Sequence, residues 1–566
     1  MKNFLKILVF LFITSAFFIS CDGIINNNGN QNSGTSNTGG GNQSEADSGN
    51  SGSSSGTTET SSSSVEFVKK MGLGWNLGNT LDATYYEETK SNQDNNTETS
   101  WGMPATTQEM IKSVHAAGFK TIRIPVSWHN HIESVSGSTY KIDSKWMARV
   151  KKIVDWAIAE KMYVIINIHH DNMKESSIKN DTTYGYALSK TSSIQEKSKE
   201  WLSSIWTQIA TEFSSYGESL IFEVLNEPRD IGGEVGDNEW WTKDDSLISV
   251  ITDYEKTCIN AIRSVKGNEN RYIMVPGYAA SGSDSSLLKL YKMPEDSAKN
   301  KLILSAHAYS PYYFAMSDTK DTTFDSSDAE ELTNLFDYLK ENYIDKGIGV
   351  VMGEASASDK NNLSEREKWA EDYFTKATKI GIPVVLWDNM ETVANGGDIN
   401  SGECHGYFNR NSLKWYFPSL IKIMGTCVYG SDFEKTAKIE ADELEEGELI
   451  SSSLDGISWE IFTTINAISN AKKGSTITFT TTECSKEVTD GKNIIQIFNK
   501  DSNNKWLDFG ITGSISGGNV NDKGFVASSS NGSVVWTLSE SDAEKIKNNG
   551  FIIQVYGIKV TSIKFK

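Results

Sequence analysis

The segment Ile221-Phe-Glu-Val-Leu-Asn-Glu-Pro-Arg229 decides the fold class of this 566-residue chain. Its short apolar run, followed by a polar break, is typical of a buried strand that ends at Asn226-Glu227. Pro228 cannot donate a ladder hydrogen bond and closes the strand. Parallel α/β folds carry their chemistry at the carboxyl ends of such strands. The segment therefore marks a candidate site, although a plain strand-to-loop turn stays open on this evidence alone.

Similar apolar runs alternate with helix-like segments from Val65 onward, which predicts βα units. Eight units in about 360 residues predict a (β/α)8 barrel with an elaborated rim, and a doubly wound open sheet is the alternative. The predicted strands are Gly72–Asn76, Thr121–Val126, Tyr163–His169, Leu220–Leu225, Tyr272–Val275, Leu302–Ala306, Gly349–Gly353 and Val384–Trp387.

The helices between these strands have clear signals. Thr106-Thr-Gln-Glu109 predicts a capping box at the start of one helix, which Gly118 ends. The next helix has an apolar stripe at helical spacing. The residues of that stripe are Trp146, Val150, Ile153, Val154, Ala157 and Ile158.

Polar and aromatic residues recur at the strand ends, which in a barrel meet around one pocket. They are Asn79 after the first strand, Arg123 in the second, His169 and His170 at the third, Asn226 and Glu227 at the fourth, His307 and Tyr309 at the sixth, Glu354 at the seventh and Trp387 at the eighth.

Two carboxylic acids facing each other across such a pocket are what glycoside hydrolysis requires. One protonates the departing oxygen while the other attacks or activates water, and a separation of about 5–5.5 Å gives a covalent intermediate and retention. We expect Arg123 and Tyr309 to lower the pKa of Glu354, and an apolar pocket to raise the pKa of Glu227. Asn226 would hold a sugar hydroxyl, and Trp387 offers a flat apolar face to a pyranose ring.

The motifs as a set resemble a glycoside hydrolase family 5 endoglucanase over roughly Val65–Val428. The opening motif and the Glu-Thr-Ser-Trp-Gly block resemble the subfamily active on β-1,4-glucan, mixed-linkage glucan and xyloglucan. The motifs are Gly-Trp-Asn-Leu-Gly-Asn-Thr-Leu-Asp, Thr-Ile-Arg-Ile-Pro-Val-Ser-Trp, Asn-Ile-His-His, Leu-Asn-Glu-Pro, Ala-His-Ala-Tyr-Ser-Pro, Met-Gly-Glu and Leu-Trp-Asp-Asn.

The resemblance implies that Glu227 is the general acid/base and Glu354 the nucleophile. It implies a β-glucan substrate and no cofactor, and we expect a monomer. Ala308 departs from relatives, which often carry a larger residue there, but in a strand it faces away from the pocket. The resemblance also assigns a supporting set to the active site: Asn79, Arg123, His169, His170, Asn226, His307, Tyr309 and Trp387.

Other interpretations of single residues remain open. Arg123 also suits a buried salt bridge, and His169 and His170 are residues of a type that commonly ligates zinc. Neighbouring strand residues point to opposite faces, so we expect no joint metal site there. His129-x-His131 is read as a rim or substrate contact without a metal. Trp75 and Trp101 suit a core or a sugar platform equally, whereas Trp240-Trp241 lie in a polar insert and favour a platform.

The two termini differ from the barrel region. Residues 1–21 resemble a bacterial lipoprotein signal with lipidation at Cys21, and an ordinary secreted protein is the alternative. Residues 22–64 are rich in Asn, Gly and Ser and predict a disordered tether. The net charge of −20 argues against nucleic acid as a partner, and the membrane would be reached only through the lipid.

After the barrel, residues 431–449 hold an acid run that predicts a solvated linker or a strand edge, and residues 450–566 predict a β-sandwich. The sandwich resembles a carbohydrate-binding module, with a structural accessory domain as the alternative. Trp506 and Tyr556 are its candidate stacking residues, and Trp459 and Trp536 its expected core. A disulfide between Cys404 and Cys427 is also left open.

Two functions remain from the sequence. One is an anchored, retaining endo-β-glucanase; the other is an inactive glucan-binding surface lipoprotein on the same barrel. Both carboxylic acids and their apparent partners are present, which favours the enzyme.

Overall fold

The computed structural model describes residues 63–85, 96–232, 239–317, 321–395, 397–442, 448–450, 453–459, 461–468, 470–486, 488, 492–500 and 506–566. The predicted export signal with Cys21 and nearly all of the predicted tether lie outside these ranges. No helix within them is long and apolar enough to cross a bilayer.

Eight parallel strands close into a barrel in the order β1-β10-β9-β8-β7-β6-β5-β2. All eight predicted strands are confirmed, and the barrel rather than the open sheet is correct. The strands are β1 Gly74–Asn76, β2 Thr121–Ile124, β5 Tyr163–Asn167, β6 Leu220–Glu223, β7 Ile273–Ser281, β8 Leu302–His307, β9 Gly349–Ala355 and β10 Val384–Leu386.

Helices follow the strands and cover the barrel, and short accessory strands lie between them. The helices are α1 Ser64–Val68, α2 Gln108–Ala116, α3 Ser144–Ala159, α4 Glu175–Lys179, α5 Ser192–Glu212, α6 Asp245–Ser264, α7 Ser285–Leu290, α8 Tyr312–Ala315, α9 Ser326–Asn342, α10 Leu363–Lys379, α11 Pro418–Tyr429 and α12 Phe433–Thr436. The accessory strands are β3 Ile132–Ser136, β4 Thr139–Ile142, β11 Phe408–Asn409 and β12 Lys414–Trp415.

The two helices predicted from the capping box and the apolar stripe are confirmed, and only the position of the capping box differs. The capping box of α2 is formed by Thr107 and Met110, one residue later than predicted, because Thr107 is the residue whose hydroxyl accepts the Met110 N–H. The predicted stripe of α3 is buried at Trp146, Val150, Ile153, Val154 and Ala157, while Ile158 is half-buried.

The barrel interior changes from apolar to polar along its axis. At the amino end, Phe67 and Met71, in and just after α1, pack into a buried cluster with Ile165, Ile221 and Val351. Two residues further along their strands lie Asn167 and Glu223, which are also fully buried. Because side chains alternate along a strand, these form the next interior layer. The polar layer therefore supports whatever lies at the carboxyl ends.

The C-terminal region forms two antiparallel sheets around its own core, as expected for a sandwich. One sheet has the order β13-β23-β15-β21-β18, and the other has the order β14-β22-β16-β20-β19 with β17 paired to β16. The strands are β13 Leu454–Asp455, β14 Phe462–Ile465, β15 Thr476–Thr482, β16 Ile494–Lys500, β17 Trp506–Asp508, β18 Ser514–Ser516, β19 Gly518–Asn521, β20 Gly524–Ala527, β21 Gly532–Thr537, β22 Phe551–Tyr556 and β23 Lys559–Phe565.

The sandwich also contains a helix that the strand pattern did not predict, α13 Glu540–Asn549. A capping box of Ser539 and Asp542 starts it, and Asp542 also accepts the indole N–H of the buried Trp536 at 3.0 Å. Trp536 is core, as predicted. Trp459 is 41% exposed, so its expected place in the core is wrong.

Both described ends of the acid run have strand-edge character. Ala441 forms a parallel bridge with Trp415, and Glu448 forms an antiparallel bridge with Lys564. Asp442 accepts hydrogen bonds from Asn409 and Ser412 on the barrel. The strand-edge alternative therefore describes these residues.

The four cysteines after the predicted signal, Cys258, Cys404, Cys427 and Cys484, are free thiols. The possible Cys404–Cys427 bridge is not formed. Each sulfur has other neighbours: that of Cys404 lies 3.5 Å from the carbonyl of Asp398, and that of Cys427 lies 3.4 Å from the Thr375 hydroxyl.

We predict that Gly425→Ala destabilises the barrel by about 1–3 kcal/mol through overpacking. A Cβ at Gly425 in α11 would overlap the ring of Phe433, which is buried. In a Phe433→Ala background the same change should be neutral or stabilising by about 1 kcal/mol, since alanine is the better helix former. Thermal unfolding of the four proteins measures both effects, and the same sign in both backgrounds would refute the packing argument.

Candidate active site

Arg123 is the centre of the hydrogen-bond network at the top of the barrel. It is fully buried and donates to Glu223 at 2.8 Å and to Glu354 at 2.6 Å. It also donates to the side-chain oxygens of Asn76 at 3.0 Å and Asn226 at 2.7 Å. Burial by itself lowers the pKa of Arg123, but Glu223 and Glu354 outweigh it and raise the pKa above its ordinary value. The guanidinium therefore stays charged and fixes two carboxyl groups and two amide side chains.

Glu223 is the residue that sequence reasoning missed. It lies in β6 and accepts from Arg123, from Asn167 at 2.9 Å and from the hydroxyl of Ser305 at 2.5 Å. Burial alone would raise the pKa of Glu223, but Arg123, His307 and the Ser305 hydroxyl together lower it to about 2. The sequence did contain a clue to Glu223, because it is a carboxylic acid within an otherwise apolar strand. A buried carboxylate of this kind needs a cation beside it.

Glu227 and Glu354 meet at His307. The Nδ1 atom of His307 lies 2.9 Å from Glu227 and 3.6 Å from Glu354. One oxygen of each carboxyl group and a ring nitrogen of His307 all lie within 4.8 Å of one another. The hydroxyl of Tyr309 donates to Glu354 at 2.9 Å. The structure thus brings together four of the five residues that the sequence predicted from the fourth, sixth and seventh strands; the fifth, Asn226, is held by Arg123.

The division of charge between the two acids is the reverse of the expected one. Burial raises the pKa of Glu354, and the lowering by His307 and Arg123 does not fully offset it. Burial also acts to raise the pKa of Glu227, but the hydrogen bond from His307 turns the shift downward. Sequence reasoning erred because it placed no cation beside Glu227. Burial lowers the pKa of His307 by itself, but Glu354, Glu223 and Glu227 raise it to about 9.

His169 and His170 lie in the loop after β5, which ends at Asn167, so strand alternation does not apply to them. Their rings are 4.4 Å apart, and ligand atoms of both lie within 4.8 Å of a carboxylate oxygen of Asp82. The expectation that they point apart is therefore wrong. Asp82 accepts the backbone N–H groups of Asn79 and Thr80, so its oxygens already support the turn that carries Asn79.

His169 is oriented by its neighbours. Asn167 donates to its Nδ1 at 3.0 Å, so in the neutral ring the hydrogen is on Nε2. Burial and nearby positive groups hold the pKa of His169 well below its usual value, and burial lowers that of His170 to about 4. Both rings are neutral near pH 7. The Trp387 ring lies parallel to His169 at 6.0 Å, which gives a polar donor beside a flat apolar face.

The remaining predicted residues have mixed outcomes. Trp75 is fully buried and donates its indole N–H to Asp388, so it is core. Trp101 is partly exposed and contacts the ring of His170 at 5.5 Å, at the rim of the pocket. Ala308 is buried in the core, away from the pocket, as expected.

The expected rim position of His129 and His131 is wrong, since both are buried. His129 lies 2.9 Å from Asp171, and His131 stacks on Trp146 at 3.7 Å. Asp171 also accepts the backbone N–H groups of Trp128 and His129. These histidines therefore stabilise the loop after β2.

The chain matches the family model of cellulase (glycosyl hydrolase family 5) over residues 83–392. This chain belongs to glycoside hydrolase family 5. It is 41% identical to endoglucanase A of Clostridium longisporum over 63% of this chain and 64% of that protein. It is 40% identical to endoglucanase 1 of Ruminococcus albus, over 64% of this chain and 81% of that protein.

Solved structures of the family agree. The GH5-4 broad specificity endoglucanase from Ruminococcus champanellensis with bound cellotriose matches with a TM-score of 0.57 and 37% identity, over 64% of this chain and 98% of that one. Some family members are longer than the matched region: the chain spans 64% of the Clostridium longisporum protein and 40% of the cellulase/esterase CelE of Acetivibrio thermocellus.

We predict that Glu223→Gln reduces the dependence of stability on acid pH. The pKa of Glu223 is lowered from 4.5 to about 2, so its stabilisation is present above pH 4.5 and is lost as the pH falls toward 2. This loss amounts to about 3 kcal/mol. Denaturant unfolding at several pH values between 2 and 6 measures the free energy of unfolding. From pH 6 to pH 2 this free energy should fall less for the variant than for the parent, and the variant should already be less stable at pH 6. Parallel curves for the two proteins would contradict the prediction.

Proposed function

We propose that this chain is an endo-acting, retaining β-glucanase that hydrolyses internal β-1,4-glucosidic bonds. Membership of family 5 gives the class of reaction. The observation that carries the proposal is that one carboxyl oxygen of Glu227 lies within 4.8 Å of one carboxyl oxygen of Glu354. Retaining enzymes need about 5–5.5 Å between their carboxyl groups, whereas inverting enzymes need about 6.5–9.5 Å to admit water. The inactive-lipoprotein alternative has no support in a site where both acids and their partners are complete.

In the proposed first step, Glu354 attacks the anomeric carbon while Glu227 protonates the departing oxygen. The bond from the anomeric carbon to that oxygen breaks, and a bond to a Glu354 oxygen forms. Arg123 and Tyr309 each donate to one oxygen of Glu354 and stabilise it as a carboxylate. The reactive state requires the proton on Glu227 and not on Glu354.

In the free site the pKa of Glu354 is raised and that of Glu227 is lowered, whereas catalysis uses the form with a proton on Glu227. Moving a proton from Glu354 to Glu227 would reach this form without changing the number of protons bound to the two acids. The raised pKa of His307, about 9, keeps its ring protonated near neutral pH. A sugar that displaces water from the Glu227 side would raise the pKa of Glu227 and favour the reactive form.

In the second step, water attacks the same anomeric carbon and gives a proton to Glu227. The bond from that carbon to Glu354 breaks, and Glu354 leaves as a carboxylate. Each step inverts the configuration, so the β anomer is retained. Asn226 is proposed to donate its amide N–H to a sugar hydroxyl, because its oxygen is already held by Arg123. The part of the glucan that contains the attacked anomeric carbon is proposed to bind four other residues: Asn79, His169, His170 and Trp387.

A second group of rings lies on the Glu227 side. Arg229, two residues after Glu227 and 3.9 Å from its carboxyl group, lies 3.7 Å from the centre of the Trp240 ring. Trp241 meets Tyr312 edge-on at 6.1 Å. Trp240, Trp241 and Tyr312 are 38%, 48% and 46% exposed. We propose that they bind the leaving part of the glucan, as the sequence favoured for the tryptophan pair.

We also propose that the protein is exported and attached to a membrane by a lipid on Cys21, with residues 22–64 as tether. Residues 65–430 would be the catalytic unit, with residues 450–566 as a second unit after the acid run. Among substrates we propose cellulose-like, mixed-linkage and xyloglucan polymers. Assay of the purified protein on a panel of β-glucans tests the proposal, and no release of reducing ends from any of them would refute it.

We predict that Glu227→Gln lowers kcat/KM on β-glucan by about 10²–10⁴-fold, the usual contribution of general acid catalysis. For an aryl β-cellobioside with a strongly acidic phenol, kcat/KM should fall far less, because that leaving group departs without a proton. Steady-state kinetics on both substrates measures the difference. Equal losses would mean that Glu227 does not act as the acid.

We predict that the first product of hydrolysis is the β anomer. Two displacements at one carbon restore its configuration, and the close carboxyl groups leave no room for a directly attacking water. A proton spectrum taken during rapid hydrolysis should show the β-hemiacetal signal before the α signal that mutarotation produces. An α signal that appears first would remove Glu354 from the role of nucleophile.

A further inference from the structure

The outer face of the six-stranded sheet in the C-terminal sandwich carries an unusual set of side chains. Ile495 and Ile497 of β16 and Val555 of β22 face the core, so their neighbours along each strand face outward. We call this outward-facing set, together with the adjoining Trp459, the aromatic face. Its members are Trp459, Phe462, Gln496, Trp506, Gln554 and Tyr556.

Two groups of rings lie on the aromatic face. Trp459 and Tyr556 are stacked, with ring centres 4.4 Å apart and planes 4° from parallel. Phe462 meets Trp506 edge-on at 4.9 Å. Trp459 and Phe462 are 41% and 47% exposed, which is a large apolar area for a solvent-facing sheet. Lone exposed rings need no explanation, but a contiguous set marks a binding surface.

Amide groups lie between the rings. Gln554 is opposite Phe462 on one side and opposite Gln496 on the other, so these three form one row across the sheet. Gln554 donates to the backbone oxygen of Trp459. Gln496 is only partly exposed, yet its amide has no hydrogen-bond partner among the residues that the structure describes. It therefore retains donors and an acceptor for a ligand.

Flat rings flanked by neutral amides suit a pyranose polymer. The C–H faces of a sugar pack on aromatic rings, and its hydroxyl groups bind amides. The chain has a net charge of −20, which disfavours nucleic acid and other polyanions. From the Ile494–Tyr556 pair to the Lys500–Trp506 pair the face follows the whole of β16, seven residues or about 20 Å, enough for several sugar units in a row.

The aromatic face also lies beside the rim of the barrel. Cα atoms of β14, which carries Phe462, lie within 8 Å of Cα atoms of the 3-10 helix Val393–Asn395 in the loop after β10. Asn395 and Trp101 line one rim cavity of about 260 Å³, and Trp101 contacts His170 of the candidate active site.

We propose that the aromatic face binds a β-glucan chain and holds the polymer next to the catalytic cleft. The identity of the glycan rests on the proposed function, whereas the position and chemistry of the surface do not. Bound polymer raises the effective concentration of glucan at the cleft without any new contact there.

Part of this surface also has a structural role, which guides the choice of variants. Ile552 and Phe498 lie on the outer side of the sheet and are only 1% and 7% exposed, and Trp506 contacts Phe498 at 5.2 Å. Replacing Trp506 would therefore expose apolar residues as well as remove a stacking ring. Trp459 and Gln496 are the better test positions, and Val520 on the edge strand β19, 53% exposed and away from the aromatic face, is the control.

The test uses the full chain in affinity electrophoresis with soluble mixed-linkage β-glucan. Glu227→Gln is added to the parent and to every variant on the gel so that the polymer is not hydrolysed, and the hydrolysis assays use the proteins without that change. Trp459→Ala and Gln496→Ala should each weaken retention about tenfold, Trp459→Phe should keep most of it, and Val520→Ala should match the parent. Hydrolysis of an aryl β-cellobioside and the thermal midpoint should be unchanged in all four.

Retention by Trp459→Ala and Gln496→Ala equal to that of Val520→Ala would overturn the proposal. Normal hydrolysis together with that result would refute the surface and leave the proposed function intact. A third outcome separates the two proposals. If Trp459→Ala and Gln496→Ala lose retention but the parent hydrolyses no β-glucan, the proposed function is refuted and the aromatic face is supported as a glucan-binding surface.

Discussion

The buried ion pair between Arg123 and Glu223 is the interaction on which the site depends. Both side chains are fully buried, and the guanidinium lies 2.7 Å from the carboxylate. An unpaired charge at this depth would cost several kcal/mol, so removing either partner leaves the other uncompensated. The pair is satisfied because its remaining atoms bind Asn76, Asn167, Ser305 and Glu354, and these bonds fix the orientation of the residues that would touch substrate.

Sequence alone predicts the barrel and the membership of the pocket, because both follow from local patterns joined to one topological rule. Strand ends of a parallel barrel converge, so Glu227, His307 and Glu354 were expected together although up to 127 residues separate them. The buried layer below them could not be predicted in the same way. Asn167 and Ser305 are ordinary polar residues in sequence. The register of β5 against β6 brings Asn167 to Glu223, and the registers of β6 with β7 and of β7 with β8 bring Ser305 to it.

The errors have a common physical cause. Alternation along a strand was extended past Asn167, where the strand ends, so His169 and His170 were expected to point apart, whereas their rings are 4.4 Å apart. The charge division of the two acids failed for a similar reason, since it depends on a 2.9 Å contact between His307 and Glu227 that no spacing encodes. Periodicity predicts on which face of a strand or helix a side chain lies. Contacts made beyond the ends of the element do not follow from it.

Charge balance explains why the reversed division is compatible with the proposed chemistry. Arg123 and protonated His307 place two positive charges beside the carboxyl groups of Glu223, Glu227 and Glu354. Moving a proton from Glu354 to Glu227 would leave the net charge of this buried cluster unchanged, so the transfer buries no additional charge. Burial, the hydrogen bond from His307 and the charges of His307 and Arg123 set the preference between the two forms. A bound sugar changes both the solvation and the hydrogen bonds of Glu227, and these are the effects through which it would favour the reactive form.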